Sequence, residues 1–253
     1  MPILFENETV VIAHSIMNDG AMGRSRNPGP YSEKCPKGAY AVNREKFVTS
    51  LKLNREKVVM LGLMHGNRVA SDEEVQIARR IPRTDAALWH RHEDYNPVLA
   101  VAHSDCIAFA IMGPDLLAIG HAGWRGLLSG ILENTLNAVF ENYTYAPEDL
   151  LVFTSPFIQV CHFEVGEDDP EGGVQRYERA GYGHHIVNVG GASHVDLGGI
   201  FREKCREMGV PRGNLFLSRE CTYCGDCWSA RRGNRQGRPT DGRNNITVAA
   251  FKD

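Results

Sequence analysis

The stretch Val101–Gly126, VAHSDCIAFAIMGPDLLAIGHAGWRG, constrains this chain more than any other. It holds two short apolar runs joined at Gly113-Pro114-Asp115, the pattern of two adjacent strands and a turn. Cys106 lies near the start of the first run and His121 at the end of the second, so a hairpin would bring them to one end. Gly123-Trp124-Arg125-Gly126 then breaks the strand pattern ahead of a helical segment. A thiol and an imidazole meeting beside a helix N-terminus make a candidate site for a metal and an anion. A buried hairpin with a core cysteine would show the same pattern, because free cysteine is among the most buried residue types.

The rest of the chain reads as one α+β domain over residues 1–253, with mixed strands and helices and no regular βαβ alternation. Its 42% hydrophobic content supports one sizeable core. Strands are expected at Thr9–Ala13, Lys57–Leu63, Leu150–Thr154, Ile186–Val189, Leu215–Leu217 and Ile246–Phe251. Helices are expected from an N-cap at Asn43 to Leu51, after the capping box Ser71-Asp72-Glu73-Glu74, over Leu127–Tyr143 and over Val195–Met208. Residues 14–40 and Pro82–Asn96 read as irregular loops, and Asp168–Gly183 as an exposed acidic segment.

A net charge of −3 argues against a dedicated nucleic-acid or membrane-surface binder. The opening MPILFENETV lacks a basic segment followed by an apolar one, and no run reaches the roughly 18 apolar residues of a membrane span. A cytoplasmic protein is expected, with its seven cysteines as thiols or ligands rather than disulfides. No Gly-rich phosphate loop follows a strand, so dinucleotide and NTP cradles are not indicated.

Three residues each end a strand: His65, Cys106 and His121. Two imidazoles and a thiolate suit Zn²⁺, which in catalytic sites takes three protein ligands and keeps one position open. The same residues could form a metal-free Cys-His nucleophile pair, and His65-Gly66 alone is also an ordinary turn. The spacing of Cys221, Cys224 and Cys227 could hold a structural metal completed by Cys205 or Cys161, or leave unligated thiols near the core. The single His90-Arg91-His92 pair reads as exposed loop, since a multicopper oxidase repeats that pattern.

Several of these motifs together resemble the YfiH-type family, also called the laccase-domain or multi-copper polyphenol oxidase family. The resemblance rests on His65-Gly66, Ser104-Asp105-Cys106, HAGWRG at His121–Gly126 and CHFEVG at Cys161–Gly166. CTYC at Cys221–Cys224, Ser229–Arg232 with Arg235-Gln236, and Asn43-Arg44 extend it over nearly the whole chain. It implies an α+β fold of mixed sheets flanked by helices, shared with cysteine-dependent toxin deamidases. It also implies a cytoplasmic zinc enzyme that phosphorolyses purine nucleosides (adenosine, inosine or guanosine, methylthioadenosine) and deaminates adenosine. The family's metal ligands fall on His65, Cys106 and His121. The alternatives are a non-catalytic zinc-binding or partner-binding protein, a copper-dependent polyphenol oxidase, and a metal-free cysteine amidase. The chain departs from the family at Leu63, where Gln is usual, at His103, where Thr is usual, and at Cys227-Trp228 and Ala230, where aromatics are common.

In the phosphorolysis reading, Cys106, His121 and Arg125 carry the chemistry. Arg125 and the amides of the Trp124–Gly126 turn suit a phosphate, and Arg44 is a second phosphate or ribose candidate. Among the basic residues Arg231, Arg232, Arg235 and Arg238, Arg232 is the candidate to close over an anion. The expected partners are a purine nucleoside and phosphate. The sequence leaves the oligomeric state open.

Overall fold

The computed structural model describes residues 3–24, 38–166, 169, 173–235 and 243–252. The first strands are β1 (Ile3–Glu6), β2 (Val10–His14), β3 (Gly23–Arg24), β4 (Val58–Gly62), β5 (Val69–Ala70), β6 (Arg80–Pro82) and β7 (Ala86–His90). They are followed by β8 (Val98–His103), β9 (Ile107–Met112), β10 (Leu116–Ala122), β11 (Leu151–Thr154), β12 (Ile186–Val189), β13 (Ala192–Val195), β14 (Leu215–Phe216) and β15 (Arg243–Phe251). The helices are α1 (Ala39–Ser50), α2 (Asp72–Ile77), α3 (Trp124–Leu128), α4 (Ile131–Asn142), α5 (Gln175–Arg179), α6 (Leu197–Glu207) and α7 (Ala230–Arg235).

One mixed sheet has the order β1-β2-β15-β8-β4-β6, with β3 also on β15; the other runs β14-β11-β9-β10-β7-β5. The two sheets stack because their inner faces are apolar and alternate with outward-facing apolar rows. Along β9, Ala108 and Ala110 face the first sheet, while Ile107, Phe109 and Ile111 face the helices α4 and α6. Along β15, Ala249 and Phe251 face the second sheet, while Ile246, Val248 and Ala250 face α1. The result is four layers: α1, sheet, sheet, and the α4/α6 layer. Sheets buried on both faces read as continuous apolar runs, which is how AFAIM and LLAI look in sequence.

The expected α+β class with mixed sheets and flanking helices holds. Several element readings need correction. The central stretch is three strands rather than two, and β8 belongs to the other sheet. The bend Ser104-Asp105-Cys106 passes the chain from one sheet to the next. Helix α1 begins four residues before Asn43, capped by Gly38 at φ 102°; the Asn43 side chain instead donates to the Ala21 carbonyl. The long helix expected over Leu127–Tyr143 is broken at Gly130, whose φ of 90° ends α3 and starts α4. Pro82–Asn96 is not all loop: Ala86–His90 is a buried strand masked by its polar flanks, and Trp89 is fully buried. The acidic segment contains α5, which buries Arg176 and Tyr177. Of the irregular stretch expected after β2, residues 25–37 lie outside the described residues.

Gly120 shows how tightly the hairpin under the site is packed. It pairs with Phe109 across β9 and β10, and a Cβ there would lie 2.1 Å from the Phe109 ring. We predict that Gly120→Ala lowers stability by about 1–3 kcal/mol through overpacking. Adding Phe109→Leu should restore part of that loss; thermal denaturation of the two single variants and the double variant checks the coupling.

Candidate active site

Three chain segments converge at one end of the sheets. Strand β4 ends at Gly62 and runs into Leu63-Met64-His65-Gly66, where His65 adopts a left-handed backbone with φ 62°. That conformation costs a non-glycine residue energy, so something must hold it. The holder is Asp85, a buried residue just ahead of β7. Its carboxylate accepts the backbone N–H groups of His65 and Gly66, each at 2.9 Å, and of Met64 at 3.2 Å. It also accepts the Nδ1–H of His121 at 3.0 Å, while the His121 backbone N–H donates to the Asp85 carbonyl at 2.7 Å. Burial alone would push the Asp85 carboxyl up. Hydrogen bonds from the His121 ring and the Gly66 amide, the His121 charge and the Met64 amide outweigh it, and its pKa lies below the ordinary value.

His121 is at the end of β10, opposite Ala108, so the hairpin register places it next to Cys106 as expected. Because Nδ1 is committed to Asp85, Nε2 is the nitrogen His121 offers. The metal-suited atoms of His65, Cys106 and His121 all lie within 4.8 Å of one another. The His65 and His121 rings meet edge to face at 4.8 Å. Burial raises the Cys106 thiol pKa, but the His121 charge and hydrogen bonds from His121 and His65 overcome it and bring it down to about 6. Burial lowers the His121 pKa, yet the facing Cys106 and Asp85 bring it up to about 9. Both shifts run in the direction that favours a thiolate beside an imidazolium when no metal is bound.

This donor set fits a soft to borderline cation such as Zn²⁺ or Cu²⁺: one thiolate, two imidazoles, and a carboxylate fixing one ring from behind. Gly123 leaves the space. A Cβ there would lie 2.8 Å from His65 Cδ2 and 3.0 Å from Cys106 Sγ. His65 is exposed and Cys106 half-buried, so the trio opens toward solvent on one side.

The other sequence candidates are placed as follows. Arg125 is exposed on the first turn of α3, its guanidinium 4.7 Å from the Trp124 ring. Arg176 covers the same ring at 3.9 Å. Gly126 packs under the His65 turn, where a Cβ would come within 2.8 Å of the Gly66 carbonyl. Arg44 donates to the Met22 carbonyl and lines a cleft with Glu45, Arg55 and Arg79. Arg232 donates to the carbonyls of Tyr223, Gly225 and Cys227 and to the Met17 sulfur, holding the loop before α7. Arg238 lies outside the described residues. His103 spends Nδ1 on the Cys106 carbonyl and Nε2 on the Thr247 hydroxyl, so it braces the bend and does not join the trio. His90 pairs with Asp115 and stacks on Tyr143, and its ring stands 6.1 Å from that of His92. The sequence reading missed Asp85 and Arg176. A carboxylate just ahead of an apolar strand was the available signal for Asp85, since a buried charge demands partners.

A family model described as multi-copper polyphenol oxidoreductase laccase matches residues 24–244. The chain belongs to that family. A purine nucleoside phosphorylase of Deinococcus radiodurans is 31% identical over 211 residues, covering 83% of this chain and 74% of that protein. One of Bacteroides thetaiotaomicron is 31% identical over 153 residues, 57% of this chain; the match spans only 55% of that protein. In fold, the crystal structure of Bacillus licheniformis hypothetical protein YfiH superposes with a TM-score of 0.74 at 19% identity, covering 96% of this chain and 93% of that one. Among the described residues no helix is long and apolar enough to cross a membrane.

Three outcomes are expected from this geometry. Asp85→Asn should weaken zinc binding by about 10–100-fold, the usual cost of losing a carboxylate behind a ligand histidine; competition against a chromogenic chelator measures it. Because the Asp85 shift is downward, its contribution to stability is present above the free-carboxylate value of about 3.9 and is lost as the pH falls below it. Acid unfolding should therefore be steeper in the wild type than in Asp85→Asn. In metal-stripped protein, Cys106 should be alkylated by iodoacetamide with an apparent pKa of about 6, while Cys205 and Cys227, whose pKa burial pushes up to about 12, stay unreactive at that pH. Peptide mapping across a pH series reads this out.

Proposed function

We propose that the chain is a zinc-dependent purine nucleoside phosphorylase, with adenosine deamination as a second activity of the same site. The observation that carries the reading is the convergence of the His65, Cys106 and His121 donor atoms beneath Gly123, on a chain whose relatives bear the phosphorylase name. A zinc ion held there supplies Lewis acidity toward an oxygen placed beside it. In phosphorolysis a phosphate oxygen attacks the sugar C1′, the C1′–N bond breaks, and the purine leaves as it gains a proton. Trp124 and Arg125 follow Gly123 directly in the chain and open α3, and in this reading the exposed Arg125 guanidinium is the group that receives the phosphate. Trp124 holds two guanidinium groups on its ring, which makes this wall cationic. Asp85 keeps His121 in one tautomer and His65 in its left-handed turn, so the site is ordered before substrate arrives. Arg44 and Arg232 act at the periphery, through the segments they hold.

The test is release of free base from inosine, adenosine or methylthioadenosine by zinc-loaded protein with phosphate. Cys106→Ala should reduce the rate at least about 100-fold, because it removes a ligand and with it several kcal/mol of metal assistance. Equal rates in the wild type and Cys106→Ala would overturn the reading, as would zinc binding without turnover on any nucleoside.

A second reading has its own observation. Cys106, His121 and Asp85 are ordered as nucleophile, base and orienting carboxylate, with a lowered thiol pKa. This supports metal-free acyl or amide chemistry. Activity toward amides that survives chelation and disappears on alkylation would favour it over the zinc enzyme. Oxygen uptake with a phenol and one copper per chain would instead favour the oxidase reading.

A further inference from the structure

A second set of soft donors lies outside the His65 trio. Cys161, His162, Cys221 and Cys224 each offer a ligand atom, and all four atoms lie within 4.8 Å of one another. His162 Nδ1 faces three sulfurs at once: Cys161 at 3.2 Å, Cys224 at 3.3 Å and Cys221 at 4.0 Å. Tetrahedral zinc with Zn–S of about 2.3 Å and Zn–N of about 2.0 Å requires donor separations of roughly 3.5–3.8 Å. The three nitrogen–sulfur separations bracket that range, all four donors lie within 4.8 Å of one another, and the three cysteines are free thiols.

The backbone around the cluster is organised for this. The turn after Cys221 is closed by Cys224 N–H and Gly225 N–H donating to the Cys221 carbonyl, which points both cysteines of the C-x-x-C the same way. Gln159 N–H donates to the Cys221 sulfur at 3.4 Å, a contact that stabilises a thiolate. The His162 ring stacks on Tyr223 at 3.9 Å, which fixes its orientation. The sequence pattern Cys221, Cys224, Cys227 is not the ligand set. Cys227 turns inward to His14 Nε2 at 3.6 Å, and Cys205 is buried on the inner face of α6. Cys161 and His162, some 60 positions upstream, supply the other two places.

We propose that Cys161, His162, Cys221 and Cys224 hold a structural Zn²⁺, separate from the His65 trio and independent of the reaction catalysed there. Four protein ligands close the coordination sphere, so the ion has no open place for a reactant. Its role is to lock together two segments that already meet through the Phe157–Cys221 bridge and the hydrogen bonds of Gln159 to the 218–221 stretch. Both segments lead to Asp105. Ile158 N–H donates to the Asp105 carbonyl, and the Thr222 hydroxyl donates to its carboxylate at 2.6 Å. The ion thus braces the bend that presents Cys106 from behind.

The experiment uses the full chain purified without chelator and measures zinc per chain by elemental analysis. The wild type should hold two, and His65→Ala/Cys106→Ser should hold one. Adding Cys161→Ser or Cys224→Ser to that variant should remove the remaining ion, Cys161→His should keep it, and Cys227→Ser should leave it untouched. Cobalt-substituted protein gives a readout that does not depend on those variants folding. The wild type has four cobalt-bound thiolates and His65→Ala/Cys106→Ser three, so the sulfur-to-cobalt band should fall by only about a quarter. A metal-free His65→Ala/Cys106→Ser protein, a zinc content unmoved by Cys161→Ser and Cys224→Ser, or a Cys161–Cys221 or Cys161–Cys224 disulfide in freshly isolated protein would each overturn the proposal.

Discussion

One buried carboxylate organises this end of the molecule. Asp85 takes three successive amides and an imidazole N–H, which is nearly all the hydrogen bonding a carboxylate can accept. An unpaired charge at that depth would be prohibitive, so its partners are obligatory rather than optional. The grip has two effects. It compels His65 into a backbone conformation that few residues adopt, and it leaves His121 with a single nitrogen to offer. The geometry of the donor trio follows from these two restraints, and the ionisation of Cys106 follows from the trio.

A second buried polar layer stands behind it. His14, His103 and Thr247 hydrogen-bond in series between the sheets, and burial holds both imidazoles neutral, with the His14 pKa down at about 3. His103 then donates to the Cys106 carbonyl, so the bend is tied to the interior. From the outer side, Asp105 accepts the Thr222 hydroxyl and the Arg231 amide, while Ser104 bonds the Trp228 carbonyl. In the basic tail, the Arg232 guanidinium that reads in sequence as closing over an anion is spent on internal carbonyls, Arg231 reaches the Glu164 carbonyl and Arg235 the Glu164 carboxylate.

What could be read from the sequence was whatever local periodicity encodes. The β9–β10 hairpin, the apolar face of α6 and the Ser71 capping box are each set by residues near one another in the chain, and all three occur as expected. The trio was legible because each member lies at one end of an apolar run. Readings failed where a distant partner decided the outcome. Strand β7 was hidden because Thr84, Asp85 and His90 look like loop until Asp85 meets the 64–66 amides. The break at Gly130 was hidden because the apolar spacing of Leu128, Leu132 and Leu136 runs through it. The Cys161–His162 half of the second cluster could not be assigned from spacing, since the fold alone brings it to Cys221 and Cys224.

Strand β15 lies between β2 and β8, in the middle of the first sheet, yet it follows every other described strand in the chain. During synthesis the ribosome therefore releases the centre of this sheet last. Until then β2 and β8 each carry a row of unsatisfied amides and carbonyls flanked by Val and Ile side chains, the kind of surface that recruits other chains. A nascent copy is consequently exposed to mispairing until β15 emerges, and a truncation near residue 243 should be felt as insolubility rather than as a lost active site.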